Sequence, residues 1–593
     1  MNAWKTLTTF AGVLLYAATW GHAQTWTKLT NVPPASLATG LQLTDGTIAC
    51  NHYNNGSWSR LTPDASGSYV NGTWSSMATM PSGYAPLYYA SAVLADGRMY
   101  VVGGEYNNGS QVWTNLGAIY NPVANTWAAL NAPFPAGQVG DTQSVVFPNG
   151  KMMISNITNT QVALLDPATL TFSLPGSANK ADRNDEEGWT LLPNGNILVV
   201  NCIASPGTQI YNLSAQAWTN AGNTGTVNLE DGASQEMGPA VLRPDGTVMA
   251  FGATGHNAVY NTISGTWVNG PDFPNIGGQL DVADGPAALL PDGNVLVGAS
   301  PGVFNTGTHY YEWDGNALNP VAGPPRAGSD SSYQGRMVVL PTGQILFTDG
   351  STDVEVYTAS GTYSPSWQPT ITAFPSAIQT GSTYTISGTQ FNGLSLGAAY
   401  GDDAQTATNY PLARLTDNNG HVYYLRTHDH STMAVATGSA IVSTNFDVPS
   451  NVPSGSYSLV VVANGIPSAP VTVQLTNLSP DFTIGAAPPS QSITRGQTAT
   501  YTVTIGALNG FSGTVTLSAA GLPKFTKATF NPATVTGSGT STLTITTQKF
   551  LTKVGTYTVT ATGTSGTITH SAQVTLTIGK APDDTAPDAP PGS

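Results

Sequence analysis

Residues 91–105 read SAVLADGRMYVVGGE, and residues 119–127 read IYNPVANTW. The first stretch is two apolar runs hinged at Asp96-Gly97. Asp-Gly between such runs predicts a tight hairpin with positive φ at the turn. The second stretch carries Tyr120 and, seven residues on, Trp127. This unit recurs along the chain. Gly46, Gly97, Gly150, Gly195, Gly246, Gly293 and Gly343 close equivalent turns, at spacings of 51, 53, 45, 51, 47 and 50 residues. Tyr211–Trp218 and Tyr260–Trp267 repeat the aromatic spacing.

A hairpin-plus-aromatic unit of about 50 residues is the period of kelch repeats. One unit cannot cover both of its apolar faces, whereas seven in a ring can. The sequence therefore predicts a seven-bladed kelch-type β-propeller over 24–369. A Thr-Trp outer-strand pattern recurs at Trp74, Trp127 and Trp267, and the segment TWTKLTNVP at 25–33 carries it with no blade in front. The seventh repeat lacks an outer strand of its own. Residues 25–33 are expected to supply it and close the ring, which leaves no open edge. Cys50 and Cys202 then fall on the second strands of blades one and four, too far apart to bridge, and are expected as buried free thiols.

After the Pro-punctuated linker PSWQPTITAFP, alternating strands such as STYTISGTQF and SYSLVVVANG predict an Ig-like β-sandwich over 370–477. QTATYTVTI, SGTVTLSAAG and GTYTVTATG predict a second Ig-like sandwich over 478–579. Residues 580–593, KAPDDTAPDAPPGS, lack core-forming side chains and are expected to be a disordered tail. The fold class expected is all-β.

Composition narrows the function. Of 593 residues only 9% are charged, 24 are Tyr, and the net charge is −15. So acidic a chain is not expected to bind nucleic acid or an anionic membrane, both of which need basic surface. Lys5, the apolar run TLTTFAGVLLYAATW and the small residues Gly21 and Ala23 make residues 1–23 a secretory signal, cleaved before Gln24. No later segment is apolar enough to span a bilayer. The expectation is a monomeric protein released to the exterior or cell surface by a bacterial exporter, with no membrane insertion. Serine elbows, P-loops, CxxC pairs and HExxH are absent.

WTLLPNGNILVV, SSYQGRMVVLPTGQILF and the propeller-plus-sandwich order resemble the galactose oxidase and glyoxal oxidase family, over roughly 24–477. The resemblance implies an early-set sandwich after the propeller and a copper-radical centre on the axis, with two Tyr, two His and a Tyr–Cys cross-link. Matched position by position, Tyr333 keeps one tyrosine. Gln334 stands where a His ligand is implied, Asp141 where the radical Tyr is implied, and Tyr88 where its Cys partner is implied. The sandwich His has a match in His430 or His428, in the stretch RTHDHSTM. Asp cannot replace a redox-active phenol, so copper-radical oxidation of alcohols or aldehydes is not expected.

The same register around all blades, nine or ten residues before each turn glycine, sets Tyr88, Asp141, Asp185, Glu186, Glu236, Asp284, Tyr333 and Gln334 at the axial mouth. Repulsion among carboxylates around one axis calls for a cation or solvent. His428 and His430, two apart on a strand, face one way and are expected to meet these carboxylates as metal ligands or as docking contacts. Mixed N/O donors suit Zn²⁺ or Mn²⁺, and carboxylates alone suit Ca²⁺. Three functions follow: a binding protein for an extracellular glycan or cell-surface polymer, a metal-dependent enzyme at the remodelled axial site, or a copper-radical oxidase.

Overall fold

A computed structural model describes residues 24–401, 403 and 406–582. The signal segment 1–23 and residues 583–593 of the tail lie outside the described residues. The chain is all-β and divides into two compact units. One comprises residues up to Ile378 together with Ser382–Leu475, and the other residues from Thr476 onward with Gln379–Gly381. No described helix is long and apolar enough to cross a membrane.

The first unit contains seven antiparallel sheets in chain order, all four-stranded except the sixth, which has six strands. Their innermost strands are Leu37–Gln42, Ala90–Val93, Ser144–Val146, Trp189–Leu191, Ala240–Leu242, Pro286–Leu289 and Arg336–Val339. Each lies against the next, and the last lies against the first, so the seven sheets close a ring. These inner strands are almost wholly buried, which is why they are apolar and not alternating.

The seven turns are one structure repeated. The N–H of Gly46 donates to the Leu43 carbonyl at 3.0 Å and that of Leu43 to the Thr47 carbonyl at 2.7 Å. Leu340, Gly343 and Gln344 make the same pair of bonds in the last sheet, both at 2.8 Å. All seven glycines have φ between +75° and +87°. The residue before each of them, Asp or Asn in six turns and Thr342 in the last, does not. The hairpin is therefore a type I turn followed by a left-handed glycine. In six turns an Asp or Asn Oδ1 accepts the N–H two residues on, as Asp45 does from Thr47 at 3.1 Å.

Tyr120 faces Trp127 directly across the sheet, as Tyr211 faces Trp218 and Tyr260 faces Trp267. Their ring centroids lie 5.1, 5.0 and 5.1 Å apart. The seventh sheet has the same pair made from the two ends of the ring-forming segment. Thr25–Lys28 runs antiparallel to Glu355–Thr358, and Trp26 packs on Tyr357 at 4.8 Å. The expected closing strand is thus in place. Cys50 and Cys202 are buried free thiols; burial alone pushes the Cys50 thiol up to about 12.

Residues 370–475 form two further sheets around Ile386, Phe391, Leu415, Phe446 and Leu459. One strand leaves them for the ring. Ala398–Tyr400 pairs with Pro286–Leu289, on the inner edge of the sixth sheet. The second unit has a four-stranded and a five-stranded sheet packed on Tyr501, Val515, Leu543, Val559 and Leu576.

Candidate functional site

Seven sheets around one axis leave a common mouth at the end where the inner strands begin. A pocket of about 490 Å³ opens there. It is lined by Tyr88, Asp141, Glu186, Glu236, Asp284 and Tyr333, one residue from each of sheets two to seven, and by Tyr53 from the first. Every sheet contributes, so the pocket is axial. Its remaining wall includes Glu105, Tyr106 and Phe304.

The backbone at this mouth is unusual. Tyr88, Glu186 and Asp284, each nine residues before its turn glycine, have φ of +52°, +53° and +50°. A left-handed conformation costs a non-glycine residue about 1–2 kcal/mol. In the alternate sheets the residue before the carboxylate takes this conformation instead, Gly140 at +62° and Gln235 at +66°. The chain bends sharply as it enters each inner strand, and the bend turns a carboxylate or phenol toward the axis.

Oxygens of Glu186, Glu236 and Asp284 all lie within 4.8 Å of one another. Burial, then the charges of Glu236 and Asp403, hold the Asp284 carboxyl well above its ordinary range, with the Arg336 guanidinium opposing them. Arg336 lies close by, 5.3 Å from the Tyr88 ring centroid. It is buried, lies 3.4 Å from the Tyr400 ring centroid, and donates to the Tyr333 and Gly335 carbonyls at 2.6 and 3.0 Å. Tyr400 donates to the Tyr333 carbonyl at 2.8 Å. A Cβ on Gly401 would stand 2.2 Å from Asp284 Oδ1, so only glycine lets this segment pass beneath the carboxylates. On the rim, Tyr88 and Tyr106 meet edge to face at 6.1 Å, as do Phe304 and Tyr333 at 5.4 Å.

Two of the residues expected at the mouth turn away. Asp185 is engaged by the Arg183 guanidinium, with Nε at 2.7 Å, and Gln334 Oε1 accepts the Ser331 N–H at 2.9 Å. Among nearby acids, Glu187 is buried against Lys180 at 2.6 Å, and Asp330 pairs with Arg326 at 2.9 Å.

The histidine hairpin is not at this mouth, which corrects the expectation that it meets the carboxylates. The His430 N–H donates to the Ala95 carbonyl, Thr427 to Thr44, and Met433 to Pro148. Those three acceptors belong to the glycine turns, at the opposite end of the inner strands. His428 bonds Asp429 at 2.7 Å and Asp447 at 3.1 Å. His430 is buried, stacks on Tyr410 at 6.0 Å and bonds Thr444 Oγ at 2.9 Å. The strand that does enter the ring is Ala398–Tyr400, and close after it comes a buried carboxylate, Asp403, not an imidazole. Asp402 lies outside the described residues.

Sequence register found the strand starts and missed Tyr53, Glu105, Tyr106 and Phe304. A signal was present. The chain returns to the same face after every second strand, so YN at 53–54 and EYNNG at 105–109 were bound to open onto the mouth.

No family model and no curated protein matches the chain. Among solved structures it is similar to a fungal alcohol oxidase of the AA5 family in complex with copper, at 14% identity and a TM-score of 0.43, covering 76% of this chain and 98% of that one. YCF48 from Cyanidioschyzon merolae follows at 10% identity and a TM-score of 0.34, covering 56% and 98%. Domains 4 and 5 of the S-layer protein SbsC give 20% identity and a TM-score of 0.16, covering 23% and 69%.

Proposed function

We propose that this chain is an exported galactose-oxidase-like kelch propeller of seven blades with two Ig-like sandwiches, whose axial pocket binds a glycan or another polyhydroxylated cell-surface polymer. The observation that carries this reading is the lining: aromatic rings from Tyr53, Tyr88, Tyr106, Phe304 and Tyr333 share the wall of a pocket of about 490 Å³ with five carboxylates. Sites of about 300–1,000 Å³ suit small ligands or single residues of a polymer. Phenol rings pack on the C–H faces of a sugar while carboxylates accept its hydroxyls. Glycan-array binding by the mature chain, followed by calorimetry, tests it. Tyr88→Ala with Tyr106→Ala should weaken the selected glycan at least tenfold, and unchanged affinity would place the site elsewhere.

The oxygen triad of Glu186, Glu236 and Asp284 favours a second reading, a metal-dependent function with a hard divalent cation such as Ca²⁺ or Mn²⁺ in the pocket. The residues do not fit a copper-radical centre. The donors at the mouth are carboxylates and phenols, both histidines of the hairpin are engaged at the far face, and Asp141 stands at the radical position. Elemental analysis and thermal shifts with Ca²⁺, Mn²⁺, Zn²⁺ and Cu²⁺ separate these readings.

A further inference from the structure

The second unit holds an asymmetry of charge. Its six basic residues are Arg495, Lys524, Lys527, Lys549, Lys553 and Lys580. Strand register gathers all of them at one end of the sandwich. Thr494 stands opposite Gly579, Thr498 opposite Thr546, Thr526 opposite Thr547 and Gly555 opposite Ile578. Asp481, the one acidic residue among the described residues of this unit, pairs with Leu508 at the other end and bonds His570 at 2.7 Å.

The same loops hold apolar side chains in solvent. Phe525 is 53% exposed, Phe550 66% and Leu551 56%. They stand on a fixed base. Thr552 is fully buried between the two loops; its Oγ donates to the Phe525 carbonyl at 2.8 Å, and its N–H to the Gln548 carbonyl at 3.2 Å. Phe525 is held in the left-handed region at φ +66°. Three large apolar groups side by side among lysines match a surface that is anionic outside and apolar just beneath.

We propose that this end of the second sandwich docks on a bilayer rich in anionic lipid, its ammonium groups among the headgroups and Phe525, Phe550 and Leu551 in the interface. A soluble polyanion would satisfy the lysines and leave the rings in water, so a lipid surface is the better complement. Net charge of the whole chain conceals this patch, because the acidic residues that dominate it lie elsewhere in the sequence. The proposal is independent of the axial pocket.

The test is co-sedimentation of the full mature chain, with Asp583, Asp584 and Asp588 of the tail retained. The vesicles are phosphatidylcholine alone, or phosphatidylcholine with 30% phosphatidylglycerol. Affinity for the anionic vesicles should exceed that for neutral ones at least tenfold and fall as salt is raised from about 0.05 to about 0.5 M, as screening requires. F525S/F550S/L551S changes only exposed side chains and should weaken binding at least fivefold at low salt, with the melting temperature unchanged. K524E/K549E/K553E should abolish it. No preference for anionic vesicles would overturn the proposal. So would full binding by the apolar triple variant, or equal affinity for dextran sulfate that the apolar triple variant retains.

Discussion

At the scale of single residues, two titratable groups on opposite faces of the ring respond to pH in opposite senses. Burial drives His430 down to about 3. The unfolded chain takes up this proton near pH 6.5 and the folded chain does not, so stability should fall as pH drops from 6.5 toward 3. The slope has an upper limit of about 1.4 kcal/mol per pH unit. Denaturant unfolding of His430→Gln at pH 4.5 and 7.5 should show a smaller difference than the wild type. Asp284 has the reverse sign. Its folded carboxyl keeps the proton above the ordinary range, so stability is lost as pH rises through and beyond about 4. Asp284→Asn should raise the melting temperature at pH 7 in the absence of divalent metal. If the oxygen triad takes a hard cation, Ca²⁺ or Mn²⁺ at 100-fold over Kd should stabilise the wild type by about 2.7 kcal/mol and leave Asp284→Asn unmoved.

At the scale of elements, seven turns share one backbone conformation but not one environment. A Cβ on Gly246 would find only Thr262 Oγ at 3.2 Å, whereas one on Gly46 would lie 2.4 Å from the Tyr424 ring. Gly246→Ala should therefore cost about 1–2 kcal/mol, the price of a left-handed alanine. Gly46→Ala should cost more, because the Tyr424 ring must also move. Equal losses in urea melts would show that backbone conformation alone sets the cost. The turns were legible in sequence because conformation is a local property. The added cost at Gly46 was not, since Tyr424 is hundreds of residues away.

At the scale of the whole molecule, ring closure is the feature on which the first unit depends. Thr25–Lys28 covers the outer edge of Glu355–Thr358, and Trp26 contacts Tyr310, Phe347 and Tyr357. Its Nε1 donates to the Ala322 carbonyl at 2.6 Å. Deleting residues 24–28 would bare a strand edge and leave those rings partly exposed. A chain beginning at residue 29 should melt at lower temperature and form oligomers by light scattering, which a monomeric, equally stable product would refute.

Repeat period, turn chemistry and the Tyr–Trp spacing are short-range properties, and each was written in the sequence together with the strand that closes the ring. The register of strand starts also placed Tyr88, Asp141, Glu186, Glu236, Asp284 and Tyr333 around one pocket. Only tertiary structure decided which segment of the following sandwich enters the ring. Both HDH at 428–430 and YGDD at 400–403 were available, and the choice rests on Ala398–Tyr400 pairing with Pro286–Leu289 while the histidine hairpin bonds to the glycine turns. Strand pairing between residues more than a hundred positions apart leaves no local signature, because any exposed edge can accept any strand of matching length. Likewise, whole-chain charge averaged away a basic, apolar tip that exists only because register brings four separate loops to one end of a sandwich.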